Sequence, residues 1–127
     1  MKGISLVIAG LLLAASLPAP SIAASEKVPT VPGSCTSTSI KDIGTRLEGV
    51  ADSGSALDYA NGIDGVSYDT VPEVSNAKAG DKVALCLVSL PQNCPKGDDR
   101  GKVWLAVDLK THQFWQLPDA EHMCGGA

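Results

Sequence analysis

Four cysteines, Cys35, Cys86, Cys94 and Cys124, lie in the last three-quarters of a 127-residue chain, and they constrain its fold more than any other feature. A domain this small builds only a modest core. An even cysteine count in such a chain, in an oxidising compartment, reads as two disulfides. Three pairings are open. Cys86–Cys94 would pin the base of a loop and Cys35–Cys124 would tie the two ends together, and that pairing is the expectation. Structural zinc takes cysteines in closely spaced pairs, whereas seven residues separate Cys86 from Cys94. No Cys-x-x-Cys redox motif is present. Neither a metal nor a cofactor is expected.

The amino terminus supplies the oxidising compartment. Lys2 precedes a short apolar run, Ile4 to Leu17, which Pro18 and Pro20 end ahead of the small residues Ser21-Ile22-Ala23-Ala24. This is the pattern of a cleaved secretory signal, residues 1–24, with cleavage after Ala23 or Ala24. The run is short against the roughly 20 apolar residues of a membrane span, and Cys35 lies too far beyond it for lipid attachment. A periplasmic or secreted protein without a membrane anchor is expected. Residues 25–34 (SEKVPTVPGS) read as a flexible leader and residues 35–127 as a single β-rich domain. Loss of Lys2 leaves nine basic against fourteen acidic residues, a net charge of −5. A dispersed acidic surface disfavours nucleic-acid binding, which needs a basic footprint.

Hydrophobic patterning predicts an all-β fold, a small antiparallel barrel or sandwich of about six strands stapled by the disulfides. Ile40, Ile43 and Leu47 have helical spacing, but TSTS ahead of them and Gly44-Thr45 among them favour an irregular strand. Leu57 and Tyr59, then Val66 and Tyr68, alternate around NGIDG as a hairpin that Pro72 ends. Val83 to Leu90 (VALCLVSL) is apolar throughout, as in a central strand covered on both faces. Val103, Leu105, Val107 and Leu109 alternate as a strand whose hairpin partner carries Phe114, Trp115 and Leu117. With few aromatics, the core is expected to be filled by aliphatic side chains.

Candidate chemistry is sparse. His112 reads as a turn residue, His122 as a surface residue beside an oxidised Cys124, and Asp98 with Arg100 as a turn ion pair rather than a calcium loop. Ser53 and Ser55 do not fit the Gly-x-Ser-x-Gly nucleophile frame. Adjacent strand residues face opposite ways, so one of Phe114 and Trp115 should point outward. Trp104 is out of phase with Val103 and Leu105. An outward Trp104 beside Trp115 or Phe114 would form a contact surface; the alternative is that both faces of these strands are covered.

The segments GTRLEG, SGSA, GDKVALCLVSL, NCPKGDDRG and LPDAEHMCGG resemble a set of small exported bacterial proteins of unassigned function. That resemblance implies an autonomous exported domain. The stretch ADSGSALDY is similar to a serine-and-glycine loop of periplasmic lysozyme inhibitors, which are small β-barrels, though the serine and glycine order differs and a basic residue ahead of the tyrosine is missing. It implies a partner-binding role for Ser53, Gly54 and Ser55. The expected function is a non-enzymatic binding module of the cell envelope, an inhibitor of a cell-wall hydrolase, with a basic protein such as a lysozyme as partner. The alternative is a structural envelope protein without inhibitory activity; a small secreted enzyme is the third reading.

Overall fold

The computed structural model describes residue 3, residues 10–17 and residues 27–126. The expected cleavage site lies outside the described residues. Residues 10–17 carry no regular structure, and among the described residues no helix is long and apolar enough to cross a membrane.

Among the described residues six antiparallel strands form one curled sheet, a half-barrel. The strands are β1 (Cys35–Thr45), β2 (Ser55–Tyr59), β3 (Asp64–Ser67), β4 (Lys82–Ser89), β5 (Val103–Asp108) and β6 (Phe114–Pro118), in the order β3-β2-β1-β4-β5-β6. The sheet therefore consists of two three-stranded meanders joined where β1 pairs with β4. One short helix, α1 (Pro72–Ser75), lies in the crossover between them. Pro72 opens this helix, and β3 ends earlier, at Ser67. The proline suits a first helical turn because its missing N–H would be unpaired there anyway. Val74 of α1 is buried in the core.

The helical spacing in β1 comes from a bulge. Ile40 faces Tyr59 and Asp42 faces Asp58, so Lys41 is the extra residue. Ile43 then sits opposite the buried Leu57 and packs on the core. An inserted residue turns a period of two into a step of three, which in sequence looks like one face of a helix.

Ladder register fixes the inward rows: Val83, Leu85 and Leu87 on β4 pair with Asp108, Ala106 and Trp104 on β5. Trp115 and Leu117 on β6 continue the last two. Residues directly opposite share a face, so the phase expected for β5 is reversed. Trp104 is 3% exposed and lies inside, whereas Val103, Leu105 and Val107 are half-buried on the outer face. Trp115 is also inside, at 3%, and Phe114 is outside, at 65%. Both tryptophans therefore pack in the core, and the contact surface that an outward Trp104 would have made is not formed. Either tryptophan buries far more apolar area inside than a valine would. Tyr59, Trp104 and Trp115 share the core with the aliphatics, which corrects the expectation of an aliphatic filling. The Trp115 indole N–H donates to the Tyr59 hydroxyl at 2.9 Å. Burial pushes that phenol well above its ordinary range.

β4 is central, but only one of its faces is covered. Ala84 and Cys86 are half-buried on the other, and Val88 is exposed. That outer face carries a disulfide instead of a second layer. Cys35 and Cys86 are directly opposite in the β1–β4 ladder and are bonded, and Cys94 is bonded to Cys124. Both expected bridges are therefore wrong. Cys86 sits within β4, whereas Cys94 lies past Pro91 in the loop beyond its end. An extended strand advances about 3.3 Å per residue, which carries Cys94 out of reach. No cysteine is free, an arrangement that fits an oxidising compartment.

The last residues of the expected leader are hydrogen-bonded to β4. The Gly33 N–H donates to the Leu87 carbonyl at 2.8 Å, and Leu87 N–H to the Ser34 carbonyl at 3.0 Å. At the sheet's edges β3 approaches β6, and a Cβ on Gly65 would come within 3.4 Å of the Leu117 side chain.

Candidate functional site

The loop singled out in the sequence is folded inward. Ser53 and Ser55 are both buried. The Ser53 hydroxyl accepts from the Leu47 N–H at 3.0 Å and donates to the Val50 carbonyl at 2.8 Å. Its own carbonyl accepts from the Arg46 guanidinium at 2.7 Å. The Ser55 hydroxyl accepts from the Val71 N–H at 2.9 Å, tying β2 to the segment ahead of α1. Gly54, with φ +118°, runs so close to β3 that a Cβ would lie 2.0 Å from the Ser67 carbonyl oxygen. These three residues clasp the domain's own backbone, and a short hydroxyl that caps a turn can mimic a presented loop in sequence.

His112, the exposed His122 and the Asp98–Arg100 pair behave as the sequence indicated. His112 takes φ +61° in the β5–β6 turn, whose N–H groups at Lys110 and Thr111 are capped by the buried Asp108 at 2.8 and 3.1 Å. Asp98 and Arg100 form a bidentate pair, both contacts 2.9 Å. Asp98 also accepts from the Gly125 N–H at 2.9 Å, which fastens the carboxyl-terminal tail. The Arg100 hydrogen bonds and then this N–H hold the Asp98 carboxyl well below the usual range. Its contribution to folding is therefore present above the ordinary carboxylate range and lost in strong acid.

Sequence reasoning missed a row of acids. Asp42 on β1 is directly opposite Asp58 on β2, which is directly opposite Asp64 on β3. All three are exposed. Glu48 joins Asp42 and Asp58 along a surface groove of about 440 Å³. Asp64 also lies near Asp119, just past β6. Partial burial raises the Asp64 pKa, and the hydrogen bond and charge of Asp58 raise it further, followed by the charge of Asp119. Like charges facing each other across strands are destabilising. Among the described residues no three acidic, histidine or cysteine side chains converge to hold a metal ion.

The sign of this effect is testable. Folded Asp64 holds its proton more tightly than the unfolded chain does, so its contribution is present at low pH and lost as pH rises through the raised value. Asp64→Asn is expected to raise stability at pH 7 by a few tenths of a kcal/mol. The gain should vanish in acid. Urea unfolding of both proteins across this pH range measures it, and a loss of stability at pH 7 would show that the row is not repulsive.

A second feature lies beside the first. Where the β2–β3 turn meets the start of β5 and the end of β6, a cavity of about 220 Å³ is lined by Asn61, Asp64, Lys102, Trp104 and Asp119, with Val28 of the leader at its rim. The Trp104 indole nitrogen and the Asn61 amide nitrogen are both buried and have no hydrogen-bond partner among the described residues. A buried donor left unpaired costs about 1–3 kcal/mol. Asn61 is held by its other amide atom, which accepts from the Ile63 N–H at 3.3 Å.

Comparison with protein-family models, curated proteins and solved structures finds no match for this chain. The geometry defines a disulfide-stapled antiparallel half-barrel with an acidic outer row on its first meander.

Proposed function

We propose that the domain is an exported, non-enzymatic binding module of the cell envelope that docks a basic protein, with a muramidase-type cell-wall hydrolase as the leading partner. The observation that carries this reading is the alignment of Asp42, Asp58 and Asp64 across three neighbouring strands. Such an alignment opposes folding, and a cationic surface placed over it would relieve the repulsion. The amino-terminal apolar segment and the two disulfides support an extracytoplasmic setting. Ser53 and Ser55 have no direct role in this reading, because their hydroxyls serve the fold.

Association of this kind is steered by charge and weakens as salt screens it, with a Debye length of about 10 Å at 0.1 M. Lysis of cell-wall substrate by chicken-type, goose-type and invertebrate-type lysozymes should be measured with an excess of the oxidised protein. Inhibition is expected at low salt and less of it at moderate salt. The variant carrying Asp42→Asn, Asp58→Asn and Asp64→Asn should inhibit at least about tenfold more weakly, a loss of about 1.4 kcal/mol. No inhibition of any enzyme at either salt would end the hydrolase proposal. Full inhibition by the triple variant would show that the row is not the docking surface.

A further inference from the structure

We infer that the open edge of β1 from Ile43 to Thr45 receives an extended peptide as an added strand, one in which apolar and basic residues alternate. This goes beyond the docking of a folded hydrolase and does not depend on it.

β1 changes partners along its length. Cys35 to Ser39 pair with β4, whereas Ile40 to Thr45 pair with β2. On the β4 side the ladder ends at Ile40. Its N–H donates to the Asp81 carbonyl at 2.9 Å, and its carbonyl accepts from the Gly80 N–H at 2.8 Å. Beyond Ile40, among the described residues, no strand lies along that side of β1. In an antiparallel ladder, residues bonded to the partner alternate with residues whose N–H and C=O point away from it. The Arg46 N–H donates to the Gly54 carbonyl at 3.1 Å, which sets the phase: Asp42 and Gly44 bond to β2. The backbone groups of Ile43 and Thr45 therefore point to the open side.

A strand laid along this edge sends successive side chains to opposite faces, and the two faces differ in chemistry. On the inner face a cavity of about 360 Å³ is lined by Ile43 and Thr45, by the buried Val74 and Ala77, and by the exposed Asp52 and Thr70. Its size falls in the range of ligand pockets, about 300–1,000 Å³, and its apolar floor suits apolar side chains. On the outer face the same β1 residues border the groove of Asp42, Glu48 and Asp58. Gly44 leaves that face open, because a Cβ there would meet nothing within 4 Å. Among the described residues lining the two hollows, none is basic. Directly opposite residues share a face. In an antiparallel addition, the peptide residues opposite Ile43 and Thr45 exchange backbone bonds with them and fill the inner cavity. The residue between them lies opposite Gly44 and carries its positive charge to the acids. Main-chain bonds supply the affinity and the two hollows the specificity.

The test titrates the oxidised protein into a fluorescent peptide of alternating valine and lysine, followed by anisotropy. Saturable binding in the micromolar range is expected. A peptide of the same composition with its valines and lysines in separate blocks should bind at least about tenfold more weakly, and so should one with glutamate in place of lysine. N-methylation of the peptide tests the ladder itself. Methyl groups on the valine amides block the bonds to Ile43 and Thr45 and should abolish binding. Methyl groups on the lysine amides face solvent and should be tolerated. Thr45→Pro removes an edge N–H that β2 does not use, a strand position where proline is accommodated, and should weaken binding at least about tenfold. If that variant does not fold, the methylated peptides decide alone. Equal binding of the alternating and block peptides would reduce the interaction to charge and overturn the proposal. Equal tolerance of both methylation patterns, or the reverse preference, would also overturn it, as would no binding at millimolar concentration.

Discussion

In reductant the protein is expected to unfold at room temperature. Chain entropy gives about 4 kcal/mol for the bridge that closes 51 residues between Cys35 and Cys86, and about 3.6 kcal/mol for the one that closes 30 between Cys94 and Cys124. Their sum, roughly 8 kcal/mol, is comparable to the entire stability of a typical domain, about 5–15 kcal/mol. The two bridges should also differ in effect. Cys35–Cys86 covalently joins the strands where the two meanders meet, whereas Cys94–Cys124 anchors the β4–β5 loop to the tail. Paired alanine substitution of Cys35 and Cys86 is therefore expected to lower the melting temperature more than that of Cys94 and Cys124. Thermal melts followed by far-UV circular dichroism, with and without reductant, measure both effects. A melting curve unchanged in reductant would show that the apolar core is sufficient.

Gly54→Ala should have the next largest effect, with a loss of at least about 3 kcal/mol. The new methyl would meet the Ser67 carbonyl oxygen at 2.0 Å, and the residue would be held at φ +118°. A backbone oxygen within a paired strand cannot move aside as a flexible side chain can. Gly49→Ala is the matched control. Its φ is +73° but its added methyl meets nothing within 4 Å, so only the backbone strain of about 1 kcal/mol remains. Chemical denaturation of the two variants separates the terms. Equal losses would mean that the close approach at Gly54 is not a real constraint.

Much of the fold was legible in the residues, because strands announce themselves by breakers and by alternation. The β2–β3 hairpin and the β5–β6 hairpin, with His112 at its turn, follow from local chemistry alone. What failed was whatever depended on partners distant in the chain. VWLAV is apolar on both faces, so nothing local says whether Trp104 or Val103 points inward; the register against Leu87 decides it. The bulge at Lys41 could be inferred only once Ile40 and Ile43 were known to face the same side. The acidic row was half visible. A hairpin turning near Asn61 places Asp58 opposite Asp64 by symmetry, but Asp42 joins them only through the bulge. The hydrogen bonds of Ser53 and Ser55 to the domain's own backbone were not legible, because a hydroxyl that holds a turn and one that meets a partner are identical in sequence.

The disulfides also join the cysteines in the order in which they occur, first to second and third to fourth. For a chain that crosses a membrane amino-terminus first, this has a consequence for assembly. Cys35 and Cys86 can be oxidised before the last cysteine has arrived, at a stage when β1 already has β4 to pair with. That bond leaves the far edge of β4 open, and β5 and β6 then add to it one after the other. Cys94 next waits only for Cys124. An oxidant that joins thiols as they emerge thus makes the native bonds directly, and no shuffling is needed to correct them. A connection between Cys35 and Cys124 would instead have left the first thiol exposed until the whole chain was across.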